Sequence, residues 1–135
     1  MTWKKTIVAF VIIFVLTSAA NFLIHAVLLA GVYQQNSNLM RNLPDSSAHA
    51  PFLMVSFFFF ALAFVWLYTR AATAGEWPMH GLRYGVAVWL LVSVSRYFIY
   101  YAIQPWPFNT VLLQLGYELV MMLLLGEVLA FVASR

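Results

Sequence analysis

Four long apolar runs separated by short polar segments organise the chain: residues 6 to 33, 51 to 68, 80 to 103 and 108 to 133. A helix needs about 20 apolar residues to cross a bilayer, and each run comes close to or exceeds that length. Backbone N–H and C=O groups cannot stay unpaired in hydrocarbon, and a membrane β-barrel would show short alternating segments, so each run predicts a helix. The expected fold class is all-α, a single transmembrane domain over residues 1 to 135 built as a four-helix bundle.

The polar segments set the connections. "QQNSNLMRNLPDSSAHA" (34 to 50) reads as the longest loop, with Asp45, Ser46 and Ser47 suited to capping and Pro51 to a first helical turn. "AATAGEWPMHG" (71 to 81) links the second and third runs. "QPWPF" (104 to 108) is so short that the third and fourth helices should be antiparallel neighbours. The opening "MTWKK" and the later "TSA" imitate a signal peptide, but apolar sequence continues through "NFLIHAVLLAGVY", so a full span is expected instead.

Composition agrees with the pattern: 64% of residues are hydrophobic and 8% charged, where soluble domains carry about 25% charged residues. The net charge of +3 comes from basic residues near the ends of the runs. Such a distribution suits membrane topology and gives no reason to expect a nucleic-acid partner. Lys4, Lys5, Arg70, Arg83 and Arg135 fall on one side and Arg41 on the other, which predicts both termini in the cytoplasm and a multi-pass protein of the cell inner membrane. Trp3, Tyr68 and Trp77, and at the other end Tyr33, Tyr100, Tyr101 and Trp106, are placed as interfacial anchors. With no cysteine, disulfides and thiolate chemistry are excluded.

Ionisable groups inside spans are costly and turn toward partners, so they carry the chemical information. Here they are His25, Arg96, Glu118 and Glu127, with Asn21 and Gln114 as neutral polar neighbours. Counting inward from Tyr33, Ile103 and Phe108 puts His25 about 12 Å deep, Arg96 about 10 Å and Glu118 about 15 Å. The three share one layer. The expected arrangement is an Arg96–Glu118 ion pair, the guanidinium meeting the carboxylate through two parallel hydrogen bonds, with His25 and Asn21 bonding to it from the first helix. Ser93 and Tyr100 flank Arg96 at helical spacing, and Gln114 lies one turn outward from Glu118. Glu127 is nine residues beyond Glu118, which at about 100° per residue turns it to the opposite face. It is expected near the end of its span, against Arg83, Lys4, water or another subunit.

No HExxH, P-loop, GxSxG or GxGxxG motif is present, and no nucleophile stands beside a base, so the chain reads as non-catalytic and without a metal site. His25 is the one histidine well inside a run, which makes haem within a single copy unfavourable. The aromatic run "PFLMVSFFFFALAFVWLY" could face lipid, a partner subunit, or a pigment or quinone. Gly81 and Gly85 in "GLRYG" would permit close helix approach. The leading expectation is an accessory or scaffold subunit of a larger membrane assembly, such as a photosynthetic or respiratory complex, or a homo-oligomer. The alternatives are a proton-coupled transporter or channel using Glu118, Arg96 and His25, and a haem or quinone binding protein.

The segments "NFLIHAVLLAGVY", "GLRYG", "PWP" and "LGYE" together resemble a group of small bacterial four-span membrane proteins of uncharacterised activity. That resemblance implies an inner-membrane location and the same fold, and no site residues. The small multidrug transporters are similar in size and span number, but they work through a glutamate in the first span, where this chain has Asn21 and His25.

Overall fold

In the computed structural model, residues 1 to 71 and 76 to 135 are described, and every regular element among them is helical. Helix α1 (Trp3–Asn21) runs into a wide-turn π segment, Phe22–Leu28, and after a break at Leu29 the chain forms α2 (Ala30–Gln35). A 3₁₀ turn (Ser37–Leu39) leads to α3 (Leu43–His49) and α4 (Pro51–Arg70). Then α5 (Trp77–Val88) passes through a second π segment, Trp89–Val94, into α6 (Ser95–Ile103), and α7 (Phe108–Ser134) closes the chain. Among the described residues, four helical stretches are long and apolar enough to cross a membrane: Trp3–Leu28, Pro51–Arg70, Trp77–Ile103 and Phe108–Ser134. They are termed the first to fourth spans below.

Two boundaries differ from the sequence expectation. The first helix does not continue unbroken to Tyr33, because Leu29 leaves helical geometry at φ −99° and ψ 2°. A π segment offsets the backbone hydrogen bonding by one residue, and the break at Leu29 restarts it. The segment from 34 to 50 is not a simple loop, since it contains α3, and the residue capping that helix is Asn42, whose side chain accepts from the Asp45 N–H at 3.0 Å. Asp45 lies in the first turn and pairs with Arg41 at 2.7 Å. Pro51 does open α4, where its missing N–H costs nothing. Within "AATAGEWPMHG", residues 72 to 75 lie outside the described residues.

The fourth span is the spine of the bundle. Its buried positions Val111, Gln114, Leu115, Glu118, Met121, Met122, Leu125 and Leu129 recur at three- and four-residue spacing, the stripe that lets one helix pack against several neighbours. The third span lies along it most intimately, and the first span contacts both the second and the fourth. Trp77 meeting Phe131 edge to face marks the end of the bundle that carries the chain termini, and Tyr33 meeting Trp106 marks the opposite, loop end.

Near the terminal end three glycines set the spacing of the third and fourth spans. A Cβ on Gly85 would stand 2.5 Å from the Met122 carbonyl oxygen, one on Gly81 would stand 2.8 Å from that of Gly126, and one on Gly126 would collide with the Gly81 carbonyl. The obstacles are backbone atoms, so no side chain can rotate out of the way. Close approach is favoured where lipid gives no hydrophobic drive for helices to associate. The second span is held to this half through Tyr84, whose hydroxyl donates to the Phe64 carbonyl and whose ring contacts Phe64 and Tyr68. Tyr68, expected as an interfacial anchor, is instead buried and stacked on His80.

Candidate functional site

The loop-end half of the bundle is built around the Glu118 carboxylate. Glu118 belongs to the buried stripe of the fourth span and is 1% exposed. Facing it from the third span are Ser93, Arg96 and Tyr97, spaced i, i+3 and i+4 so that all project from one face. Oε1 accepts from Arg96 Nη2 at 2.8 Å and from the Tyr97 hydroxyl at 2.5 Å. Oε2 accepts from the Ser93 hydroxyl at 2.5 Å and from the same Nη2 at 3.0 Å. His25 of the first span stands 3.5 Å away through Nε2.

A chain of polar contacts extends from this centre toward the loop end. Gln114 Nε2 donates to the Tyr33 hydroxyl at 3.1 Å, and that hydroxyl lies 2.6 Å from His25 Nδ1. The hydroxyl thus links Gln114 to the imidazole, whose other nitrogen, Nε2, faces the carboxylate. The break at Leu29 makes this possible. In an unbroken helix, Tyr33 would rise about 12 Å beyond His25; here the two rings stack with centroids 5.9 Å apart.

Both π segments lie at the site, His25 within Phe22–Leu28 and Ser93 within Trp89–Val94. Such segments recur at functional sites because a widened turn re-aims side chains and breaks the regular backbone pairing. The second is tied to the spine by Trp89 Nε1 donating to the Leu115 carbonyl at 3.0 Å.

The structure brings Arg96, Glu118 and His25 together and corrects several details around them. Arg96 does not form the two-nitrogen fork expected from its chemistry, since both of its bonds to Glu118 come from Nη2. Asn21 does not bond to the ion pair: Nδ2 donates to the Thr17 carbonyl at 2.9 Å in its own helix and approaches Met121 Sδ at 3.6 Å. Tyr97, not Tyr100, is the tyrosine that reaches the carboxylate, and Tyr100 instead lines a cavity beside it. Gln114 serves Tyr33, a residue expected only as an interfacial anchor. The spacing of Ser93, Arg96 and Tyr97 was the available clue to Tyr97, whereas nothing in the local sequence indicates the return of Tyr33 onto His25.

Glu127 lies outside this centre, toward the terminal end of the fourth span. Its Oε1 is buried with no hydrogen-bond partner among the described residues, packed near Gly81 instead of reaching Arg83 or Lys4. The glycine crossing draws the third-span backbone so close that a carboxylate on the flank of the fourth helix is covered by it.

Two cavities of ligand size open around the centre, and a third, about 50 Å³, lies against Glu118 and Arg96. The larger, about 420 Å³, is lined by Asn21, His25, Ser56, Arg96 and Tyr100 on its polar side, and by Phe22, Leu53, Met54 and Phe57 on its apolar side. The second, about 290 Å³, runs from Met40, Gln104 and Trp106 at the loop end down to His25, Tyr97 and Gln114. Their size is that of small-molecule sites. The hydrogen bond from Tyr84 that ties the second span to the third lies in the other half of the molecule.

Arg96 and Glu118 differ in how fully they are used. Ser93, Arg96 and Tyr97 all donate to Glu118, and His25 faces it, so its oxygens are taken. Arg96 is 43% exposed, stands over the Tyr97 ring at 4.8 Å, and its Nε and Nη1 groups have no hydrogen-bond partner among the described residues. The carboxylate therefore holds the guanidinium in place, and the guanidinium faces the cavity. As for a metal or haem, His25 has both ring nitrogens engaged in this arrangement, and among the described residues no three His, Asp or Glu side chains converge. No known protein family, curated protein or solved structure matches the chain.

Proposed function

We propose that the chain is a non-catalytic binding subunit of the inner membrane, both termini cytoplasmic, which holds the polar group of a ligand against Arg96. The observation that carries this reading is the pairing of a sealed carboxylate with a half-exposed guanidinium that borders a 420 Å³ cavity. An ion pair serving structure alone would satisfy both partners internally, because unpaired polar groups within a span are costly. Here Arg96, which lines the cavity, keeps donors that Glu118 does not use. A role within a larger membrane assembly fits the same picture, since the protein offers a binding pocket and apolar flanks with no catalytic motif.

A proton-coupled transporter is the second reading, favoured by the continuous contacts Gln114–Tyr33–His25–Glu118 at 3.1, 2.6 and 3.5 Å. The saturation of Glu118 weighs against it, because an exchanging carboxylate needs a partner-free oxygen in at least one state. The test is purification in mild detergent followed by mass spectrometry of everything retained, comparing the natural protein with Arg96→Gln. Binding predicts a small molecule retained by the former and lost from the latter. Identical retained molecules in both would remove the basis for the binding reading, and a pH gradient collapsed by the protein in liposomes, abolished by His25→Gln, would favour the relay.

A further inference from the structure

We infer that the ligand of the large cavity is an oxyanionic amphiphile, a lipid-like molecule with a carboxylate or phosphate head and an apolar tail, that reaches the cavity sideways from the bilayer. This inference rests on the binding reading above and adds the chemical class to it. The cavity wall holds a clear excess of donors. Arg96 contributes Nε and Nη1, and the hydroxyls of Ser56 and Tyr100 have no hydrogen-bond partner among the described residues. Asn21 Nδ2 is bonded within its own helix, His25 Nδ1 meets Tyr33 while Nε2 faces Glu118 at 3.5 Å, and the one carboxylate nearby, Glu118, is 1% exposed. A group surrounded by unused N–H and O–H bonds must be an acceptor, and charge-assisted bonds from arginine to carboxylate or phosphate are the strongest of that kind.

The apolar lining specifies the tail. Phe22, Leu53, Met54 and Phe57 are apolar, and Phe22 and Leu53 are largely exposed on the outer surface, so the cavity merges with the lipid-facing side of the bundle. Arg96 is seven residues from the end of α6 at Ile103, or about 10 Å along the helix axis. In a hydrocarbon core about 30 Å thick, that depth lies within one leaflet, within reach of a headgroup that sinks slightly while its tail stays in lipid. A soluble anion would have to shed its water to come as far without any such apolar contribution. Among the described residues, side-chain ties between the second and third spans, Tyr84 with Phe64 and Tyr68 with His80, lie in the other half of the molecule.

The test is equilibrium binding of cis-parinaric acid, a fluorescent fatty acid, to the full chain in nanodiscs of phosphatidylcholine. The natural protein should bind it saturably, Arg96→Gln should weaken binding at least tenfold, and Tyr100→Phe and Ser56→Ala should each weaken it two- to fivefold. Those last two positions lie off the ion pair, so they report on the cavity even if Arg96→Gln fails to fold. Oleate and phosphatidic acid should displace the probe, and methyl oleate, which has the same tail without the anion, should not. Equal displacement by methyl oleate would overturn the oxyanion assignment and leave the binding reading intact. Displacement by inorganic phosphate at concentrations matching oleate would overturn access from the bilayer. No saturable binding of the probe, oleate or methyl oleate would overturn both the inference and the reading beneath it.

Discussion

The Arg96–Glu118 pair allows a quantitative test, because its two partners are buried so unequally. Arg96→Met removes the counter-charge from a carboxylate that is 1% exposed. Breaking a buried pair in this way costs about 3 to 5 kcal/mol, chiefly through the stranded charge. Adding Glu118→Gln in the same chain removes that charge while keeping the shape. The amide oxygen could then accept from Tyr97, where Oε1 now does at 2.5 Å, and the amide N–H could donate to the Ser93 oxygen, because a hydroxyl both donates and accepts. Interhelical hydrogen bonds of this neutral kind contribute about 0.6 kcal/mol each in membranes, so what they lose or gain is small beside the charge. The double variant should therefore recover about 2 to 4 kcal/mol of the loss, in keeping with the stability of buried ion pairs replaced as a unit. Reversible unfolding in mixed micelles, followed by tryptophan fluorescence, measures all four corners of the cycle. If Arg96→Met costs less than about 1 kcal/mol, or if the two substitutions simply add, Glu118 is not the charged centre described above.

The glycine crossing makes a prediction with its own internal control. Gly85→Ala and Gly126→Ala should each cost about 1 to 3 kcal/mol, because the new methyl group meets backbone of the facing helix. Gly31→Ala and Gly116→Ala, where nothing stands within 4 Å, should be neutral or slightly stabilising, and thermal unfolding would separate the two pairs. Tyr84→Phe removes the hydroxyl that ties the second span to the third, which should cost about 1 kcal/mol and raise amide exchange around Phe64. Unchanged exchange there would mean that the aromatic packing alone holds the helix. Asn42→Ala should destabilise α3 locally by about 0.5 to 2 kcal/mol, seen as faster amide exchange over residues 43 to 49 with no change in the spans. Because the chain has no cysteine, Ser47→Cys gives a single labelling site. A membrane-impermeant maleimide should modify it from outside intact cells if the termini are cytoplasmic.

How much of this molecule its sequence determines can be judged residue by residue. The helical spans were legible because hydropathy is a local, additive property and hydrocarbon leaves an apolar run little choice but to be a helix. The closeness in depth of His25, Arg96 and Glu118 was legible too, since the rise per residue in a helix is constant. Rotation about the helix axis is different, because any irregularity changes it for every later residue. The π segments and the break at Leu29 are such irregularities, and the break lets Tyr33 return to His25. The unequal use of the ion pair is likewise a tertiary property. Glu118 and Arg96 are equally conspicuous as charges in apolar sequence, but only the packing of four helices seals one and leaves the other beside a cavity. Burial depends on what every other helix does, and no local pattern contains that information.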